Sequence, residues 1–198
     1  TNGNSGNYNV FVNNDFNGGG YYGVIVRGSS TSSTISGNQF WNNTFQGSYY
    51  YPMYNYYSSE MKIVGNTLSP RATGTYSTSA NGLYHYYGRS DSIASNYLSA
   101  PRNALYMYFQ NYYGSSSDTG YVVNNMIVGG TYTSANTVYM YYSDRVYVVG
   151  NSVLSNSSYN SSSYAAVELY YCDYNTVRNN TISRPNGGYA FQYYYGIS

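Results

Sequence analysis

Groups that could carry out acid–base chemistry are scarce in this chain, and three of them come close together. The single histidine, His85, lies four residues before Arg89 and six before Asp91. A base of this kind beside a carboxylate could take a proton next to the acid group of a sugar. If the side chain of His85 faces outward, these three residues form the best catalytic cluster in the chain. His85 also falls at an inward position of a predicted strand, where it would bond a neighbour such as Asn55, and we predict this buried arrangement.

Acidic residues also recur at the turn that follows four of the predicted strands. The members of this set are Glu60, Asp91, Asp144 and Asp173. Stacked carboxylates could bind calcium, but an aspartate in a turn also bonds its own backbone, and no D-x-D-x-D-G loop is present. Cys172 has no second cysteine beside it, which favours a small incidental residue over a nucleophile. We therefore predict no metal site and no cofactor.

The composition favours strands and turns and excludes several classes of function. The chain has 33 Tyr and 21 Gly, but only 8 Lys or Arg and 7 Asp or Glu, for a net charge of +1. Eight scattered cations do not make the clustered positive surface that nucleic acid requires. No apolar stretch is long enough for a membrane helix. We predict no nucleic-acid partner and no membrane insertion, and the low charge suggests an extracellular or cell-surface location.

A six-residue motif recurs along the chain and predicts a β-strand. It reads small residue, inward apolar residue, outward residue, inward residue and two aromatics, since side chains alternate between the faces of a strand. Clear copies begin at Gly82, Ala104, Thr137 and Ala166, weaker copies at Pro52 and Ala190, and a copy without aromatics at Gly23. The predicted inward apolar residues are Val24, Met53, Leu83, Leu105, Val138, Val167 and Phe191. Such a repeat indicates a solenoid.

A second motif follows each copy of the first and has an asparagine at a bend. Its form is apolar, any residue, Gly/Asn/Ser, Asn, any residue, apolar. The predicted bend asparagines are Asn14, Asn38, Asn66, Asn96, Asn125, Asn151 and Asn180, at intervals of 24 to 30 residues. Neighbouring coils stack about 4.8 Å apart, so we expect these amides to bond from coil to coil as an asparagine ladder. The preceding Gly, Asn or Ser suits a left-handed backbone.

Together the two motifs predict an all-β fold, a right-handed parallel β-helix of about seven coils of roughly 24–30 residues each. The distance from the first motif to the asparagine is nearly constant, whereas the next connection varies in length, which places the loops of the solenoid on one side. No helix-period spacing of apolar residues is present. We expect residues 1–198 to form a single β-solenoid, a segment of a longer repeat array or a subunit that stacks head to tail.

The two motifs resemble the right-handed parallel β-helix family, in particular its NosD-like and pectate-lyase-like coils. The resemblance covers the chain from about Tyr8 to Tyr195. Strings such as the one from Tyr170 to Ser183 look like the Tyr-rich repeats of very large surface proteins in Bacteroidetes-type bacteria. The resemblance implies the fold but not the activity, because this fold hosts lyases, hydrolases, epimerases, tailspikes and adhesins.

The outward positions of the first motif are occupied mainly by tyrosine. One predicted row contains Tyr54, Tyr84, Tyr106 and Tyr139, and the next contains Tyr56, Tyr86, Tyr108, Tyr141, Tyr170 and Tyr194. Stacked at coil spacing, the rings would stiffen the coil by aromatic packing. A stripe of this length could also bind sugar rings or bury itself against another subunit.

Two hypotheses of function follow. The first is a non-catalytic extracellular structural or adhesive solenoid, such as a surface filament or adhesin stalk, whose outward tyrosines contact surface polysaccharide or a second copy of the chain. The second is a β-helix polysaccharide lyase or epimerase that uses His85, Arg89 and Asp91. The regular repeats and the shortage of acid–base residues favour the non-catalytic solenoid.

Overall fold

The computed structural model describes residues 6–71, 79–129, 135–158 and 163–195. The described strands, in chain order, are β1 (Val10–Val12), β2 (Asp15–Asn17), β3 (Tyr22–Arg27), β4 (Ile35–Ser36), β5 (Gln39–Trp41), β6 (Thr44–Gln46), β7 (Tyr51–Ser59), β8 (Lys62–Val64), β9 (Thr67–Ser69), β10 (Leu83–Arg89), β11 (Ser92–Ala94), β12 (Tyr97–Ala100), β13 (Leu105–Tyr108), β14 (Gly120–Val123), β15 (Met126–Gly129), β16 (Val138–Tyr141), β17 (Val146–Val149), β18 (Ser152–Ser155), β19 (Ala165–Tyr170), β20 (Thr176–Arg178), β21 (Thr181–Ser183) and β22 (Tyr189–Tyr194). The two ends of the predicted solenoid, residues 1–5 and 196–198, lie outside the described residues.

These strands form three parallel sheets that run along the solenoid. The tyrosine sheet has the order β22-β19-β16-β13-β10-β7-β3, and β4 pairs with one end of β7. The second sheet has the order β1-β5-β8-β11-β14-β17-β20, and the third has the order β2-β6-β9-β12-β15-β18-β21. Each coil thus contributes one strand to each sheet, and the prediction of an all-β parallel solenoid is confirmed. In the parts of the chain that the structure describes, no helix is long and apolar enough to cross a membrane.

The register places like residues over like residues, so the core consists of continuous apolar stacks. In the tyrosine sheet, Leu83 pairs with Met53 on one side and Leu105 on the other. The fully buried members of this stack are Met53, Leu83, Leu105, Val138 and Val167. Each such side chain contributes about 1.5–3 kcal/mol through removal from water. Phe191, in the edge strand β22, is 39% exposed because no described strand covers it.

An asparagine ladder joins the coils at the bend between the second and third sheets. The hydrogen-bonded members are Asn14, Asn43, Asn66, Asn96, Asn125, Asn151 and Asn180. In each step one asparagine donates both its backbone N–H and its Nδ2–H to Oδ1 of the next, as Asn66 does to Asn96 at 2.8 and 3.1 Å. The residue before each ladder asparagine has positive φ, as at Gly65 (69°) and Ser95 (56°). The left-handed bend that the motif predicts is therefore present.

The prediction of Asn38 as a ladder residue was wrong, because Asn43 occupies that position. Asn38 lies at another bend, just before β5, and its Oδ1 accepts hydrogen bonds from N and Nδ2 of Asn9 at 2.9 and 3.0 Å. Two overlapping stretches of the sequence fit the motif, one centred on Gly37-Asn38 and the other on Asn42-Asn43. Both contain a left-handed residue, with φ of 67° at Gly37 and 54° at Asn42. The motif alone could not separate them.

Candidate functional site: the tyrosine face and its edge pocket

The outer surface of the tyrosine sheet carries three parallel rows of aromatic side chains, which together we call the tyrosine face. The first row is Tyr54, Tyr84, Tyr106 and Tyr139; the second row is Tyr56, Tyr86, Tyr108, Tyr141, Tyr170 and Tyr194; the third row is Tyr57, Tyr87, Phe109, Tyr142, Tyr171 and Tyr195. Strand pairing sets the first two rows, because residues at the same motif position in successive coils are Cα partners. The first two rows contain the outward tyrosines of the first sequence motif.

Rings in a row stack face to face. In the second row, the ring centroids of Tyr56 and Tyr86 are 4.9 Å apart at 4°, and those of Tyr86 and Tyr108 are 4.8 Å apart at 2°. The faces of these rings therefore cover one another, which leaves the ring edges as the outer surface of the row, and the Tyr56 hydroxyl donates to the Tyr57 hydroxyl of the neighbouring row at 3.3 Å. The sequence allowed sugar rings to stack on exposed tyrosine faces. Within the rows, however, neighbouring rings cover most of these faces.

The third row was missed at the level of sequence. Alternation along a strand would turn the second aromatic of each motif copy inward. Instead its backbone is left-handed, with φ of 54° at Tyr57 and Tyr87 and 57° at Phe109, which returns the ring to the outer surface. This conformation costs about 1–2 kcal/mol for each non-glycine residue. Stacking within the row, such as Tyr87 on Phe109 at 4.8 Å and 8°, offsets part of that cost.

Several hydroxyl groups of the first and second rows have pKa values above the ordinary value for tyrosine. Burial, followed by the neighbouring Tyr142, raises the pKa of Tyr141 to about 12. A hydrogen bond to Tyr57 is the main cause that raises the pKa of Tyr56 to about 12. A phenol can both donate and accept a hydrogen bond. The face is thus a neutral array of donors and acceptors that repeats at the spacing of the coils.

The long connection between β13 and β14 lies beside the third row. The ring of Tyr112 contacts Phe109 at 5.2 Å, and that of Tyr113 contacts Tyr87 at 5.6 Å. Asp118 of the same connection accepts a hydrogen bond from Arg89 Nε at 3.3 Å. Arg89 is therefore an anchor for this loop on the outside of the coil.

His85 lies inside the coil, fully buried, and the alternative in which it faces outward was wrong. Its Nδ1 accepts from Asn55 Nδ2 at 2.9 Å, and its Nε2–H donates to Asp91 Oδ2 at 2.9 Å and Gln110 Oε1 at 2.8 Å. With Asn55 Nδ2 as a donor, Nδ1 of His85 is an acceptor and Nε2 is the donor. Asp91 is 2% exposed, and Arg89 lies outside, so the cluster of His85, Arg89 and Asp91 is not brought together where a substrate could reach it.

A pocket of about 270 Å³ opens at the edge of the tyrosine face, where the variable connections enter the tyrosine sheet. We call it the edge pocket, and it is lined by Arg102, Asn103, Tyr106, Ala135, Asn136, Tyr139, Ser163, Tyr164 and Glu168. Glu168 pairs in register with Tyr139 and thus takes the place of the next tyrosine in the first row. The sequence motifs do not predict this pocket. The one feature of the sequence that marks its position is the glutamate in place of a tyrosine in the first row.

Burial governs the electrostatics of the edge pocket. Glu168 is 7% exposed, and loss of solvation raises the pKa of its carboxyl group, while a hydrogen bond with Asn136 opposes that shift. Burial, followed by the neighbouring Glu168 carboxylate, raises the pKa of the Tyr139 hydroxyl. Arg102 and Glu168 both line the pocket but form no ion pair with each other.

We expect Glu168→Gln to stabilise the protein at pH 7 and to have little effect below pH 4.5, the ordinary pKa of the group. A raised carboxyl pKa means that the folded state holds its proton more tightly than the unfolded state. The free energy of unfolding therefore decreases as pH rises from the ordinary pKa to the raised pKa of the folded state. A glutamine at this position does not titrate and avoids that decrease. Urea denaturation at both pH values measures the difference. Glu60→Gln, at an exposed position, is the control, and a less stable Glu168→Gln protein at pH 7 would contradict the prediction.

The fold and surface together define a parallel β-solenoid with an aromatic face. The family model described as "Periplasmic copper-binding protein (NosD)" matches residues 50–196. The chain therefore belongs to the NosD family, and the predicted resemblance to NosD-like coils is confirmed. No curated protein and no solved structure matches the chain. The family's description as periplasmic agrees with a location in the cell envelope.

The imidazole and the thiol of this chain do not fit the copper in the family's description. Copper sites are built from imidazole, thiolate and thioether groups. Both nitrogens of His85 are bonded inside the coil, and burial raises the pKa of the Cys172 thiol to about 12, which disfavours the metal-binding thiolate. Among the described residues, no three His, Cys, Asp or Glu side chains are grouped so that they could hold a metal ion.

Proposed function

We propose that the chain is a non-catalytic structural and adhesive β-solenoid of the cell surface, acting as a surface filament or adhesin stalk. Its tyrosine face would contact a surface polysaccharide. The observation that carries this proposal is the row geometry, in which stacked rings present their edges, with a regular array of hydroxyl groups, on the outer surface of the sheet. An extended polysaccharide is itself a periodic array of hydroxyl groups, so the two can form many hydrogen bonds in register.

The competing catalytic function receives less support. A lyase or epimerase needs a base that can reach the sugar, whereas the single histidine is buried among Asn55, Asp91 and Gln110. The tyrosine face itself has hydroxyl groups whose pKa values are raised, as at Tyr84 and Tyr141. Such groups are poor bases at neutral pH, which favours a binding surface.

Removal of three hydroxyl groups tests the proposal. In the variant with Tyr86→Phe, Tyr108→Phe and Tyr141→Phe, the rings and their stacking remain but the polar edge of the second row is lost. We expect the affinity for insoluble envelope polysaccharide to fall by at least about tenfold, since three hydrogen bonds of about 0.5–1.5 kcal/mol each are removed. Co-sedimentation of the protein with the polymer measures retention.

The matched control is the double variant Tyr121→Phe and Tyr147→Phe. These rings also stack, at 5.6 Å and 15°, but they lie on the second sheet and not on the tyrosine face. The control should bind as the unchanged protein does. Equal retention of the triple variant and the unchanged protein would refute the proposed glycan contact.

Self-association through the same face is the second candidate, because tyrosine is enriched at protein interfaces. Sedimentation velocity distinguishes it from glycan binding. A concentration-dependent increase in mass that the triple variant abolishes, without any retention on polysaccharide, would assign the face to a second copy of the chain.

A further inference from the structure

The edge pocket differs from the rest of the tyrosine face in having a buried carboxyl group, that of Glu168, and an interrupted ring stack. Along the first row, Tyr54 and Tyr84 stack at 6°, and Tyr84 and Tyr106 at 5°. The next pair, Tyr106 and Tyr139, is tilted by 60° at 5.3 Å. Beyond Tyr139 the row continues with Glu168, and among the residues that the structure describes no aromatic ring stacks on Tyr139 from that side. An aromatic surface is therefore available here, beside the pocket.

The polar groups of the pocket suit a small ligand rich in hydroxyl groups. A buried carboxylate can accept hydrogen bonds from two neighbouring hydroxyls. The side chains of Asn103 and Asn136 are 5% and 6% exposed and line the same cavity, and the guanidinium of Arg102 supplies donors at its edge. A ligand pocket typically combines an aromatic wall with a few fixed polar groups, as here.

The Asn103 and Asn136 side chains are held in place by the coil itself. Asn103 Nδ2 donates to the carbonyl oxygen of Asn136 at 2.7 Å, and Asn136 Oδ1 accepts from the backbone N of Ala165 at 2.7 Å. These bonds link three successive coils beneath the pocket. The polar floor is therefore fixed before any ligand arrives, which lowers the entropy cost of binding.

We propose that the edge pocket binds one neutral sugar unit, a hexose-type branch or end of the polysaccharide that contacts the tyrosine face. The Tyr139 ring would pack against the C–H surface of the sugar while Glu168 accepts from two of its hydroxyl groups. A sugar acid is disfavoured, because its carboxylate would lie beside Glu168. The inference rests on the proposed function and names the sugar class that this face selects.

Titration with free sugars tests the pocket separately from the polymer. Glucose, galactose, mannose, N-acetylglucosamine and glucuronate are the probes, and chemical-shift changes of the Tyr139 and Glu168 signals are the readout. We expect a neutral hexose to bind more tightly than glucuronate. Glu168→Gln and Tyr139→Ala should each weaken that binding at least about tenfold, as expected for the loss of a hydrogen bond to a carboxyl group or of an aromatic contact.

Glu60→Gln is the control for charge, and unfolding curves show whether each variant is folded. The pocket assignment would be overturned if glucuronate bound most tightly of the sugars tested. It would also be overturned if the binding of no sugar depended on Glu168. Polymer retention that depends on the second row, without free-sugar binding, would refute the pocket and leave the tyrosine face in place. Free-sugar binding without polymer retention would refute the proposed function and support the pocket as a sugar site.

Discussion

Asn96→Ala is expected to lower the free energy of unfolding by about 4 kcal/mol, since it removes several buried hydrogen bonds of about 1 kcal/mol and leaves their partners unsatisfied. Asn96 Oδ1 accepts from N and Nδ2 of Asn66, and its Nδ2 donates to Ile63 O at 2.8 Å and Asn125 Oδ1 at 3.0 Å. All of these groups lie in the interior, where water cannot replace the lost partner. Guanidinium denaturation followed by circular dichroism measures the loss.

Asn156→Ala is the matched control for this experiment. Asn156 follows β18, its side chain is exposed, and it belongs to no ladder. A surface substitution of this kind changes stability by no more than about 0.5 kcal/mol. If the two variants unfold at the same denaturant concentration, the ladder does not stabilise the coil.

The ladder also shows how far the sequence predicts this fold. Six of its asparagines follow from a motif that recurs once per coil, because each coil must make the same bend with the same chemistry. The seventh was placed at Asn38, although Asn43 bonds to Asn14 and Asn66. Two adjacent bends in that coil have the same local sequence, and only the pairing of β5 with its neighbours separates them.

The arrangement of the tyrosine face was only partly predictable for a related reason. Alternation along a strand gives the first and second rows directly. The third row depends on a left-handed residue at Tyr87 and its equivalents, and sequence rules assign that conformation mainly to Gly and Asn. A bulky residue in this conformation is stabilised by the row that it joins. That row exists only when the coils are stacked, so no single copy of the motif reveals it.

The edge pocket lies where the repeat is least regular, which is why its position does not follow from the motifs. The bend at the ladder keeps one part of each coil constant, while the connections into the tyrosine sheet differ in length. Residues on those connections, such as Arg102 and Ser163, meet only in the folded chain. Binding sites of repeat proteins commonly use such variable loops beside a regular scaffold.

Gly88→Ala is expected to destabilise the protein by about 3–5 kcal/mol, because it adds overpacking to the loss of buried hydrogen bonds. A Cβ atom at this position would overlap His85 Nε2, Gln110 Oε1 and Asp91 Oδ2. These are the atoms of the buried histidine network, so either the network opens or the backbone of β10 shifts. Only glycine lets the chain approach the imidazole so closely.

The glycine control is Gly20→Ala, where an added Cβ would meet no atom within 4 Å. This change should alter the free energy of unfolding, measured by urea denaturation, by no more than about 0.5 kcal/mol, since it removes no contact. A second test uses His85→Ala, which clears space beside residue 88. In that background Gly88→Ala should cost at least about 1 kcal/mol less than in the unchanged protein, because contacting residues couple by this much. Additive losses would show that Gly88 does not act through the imidazole, and the histidine would then have a separate role in the core.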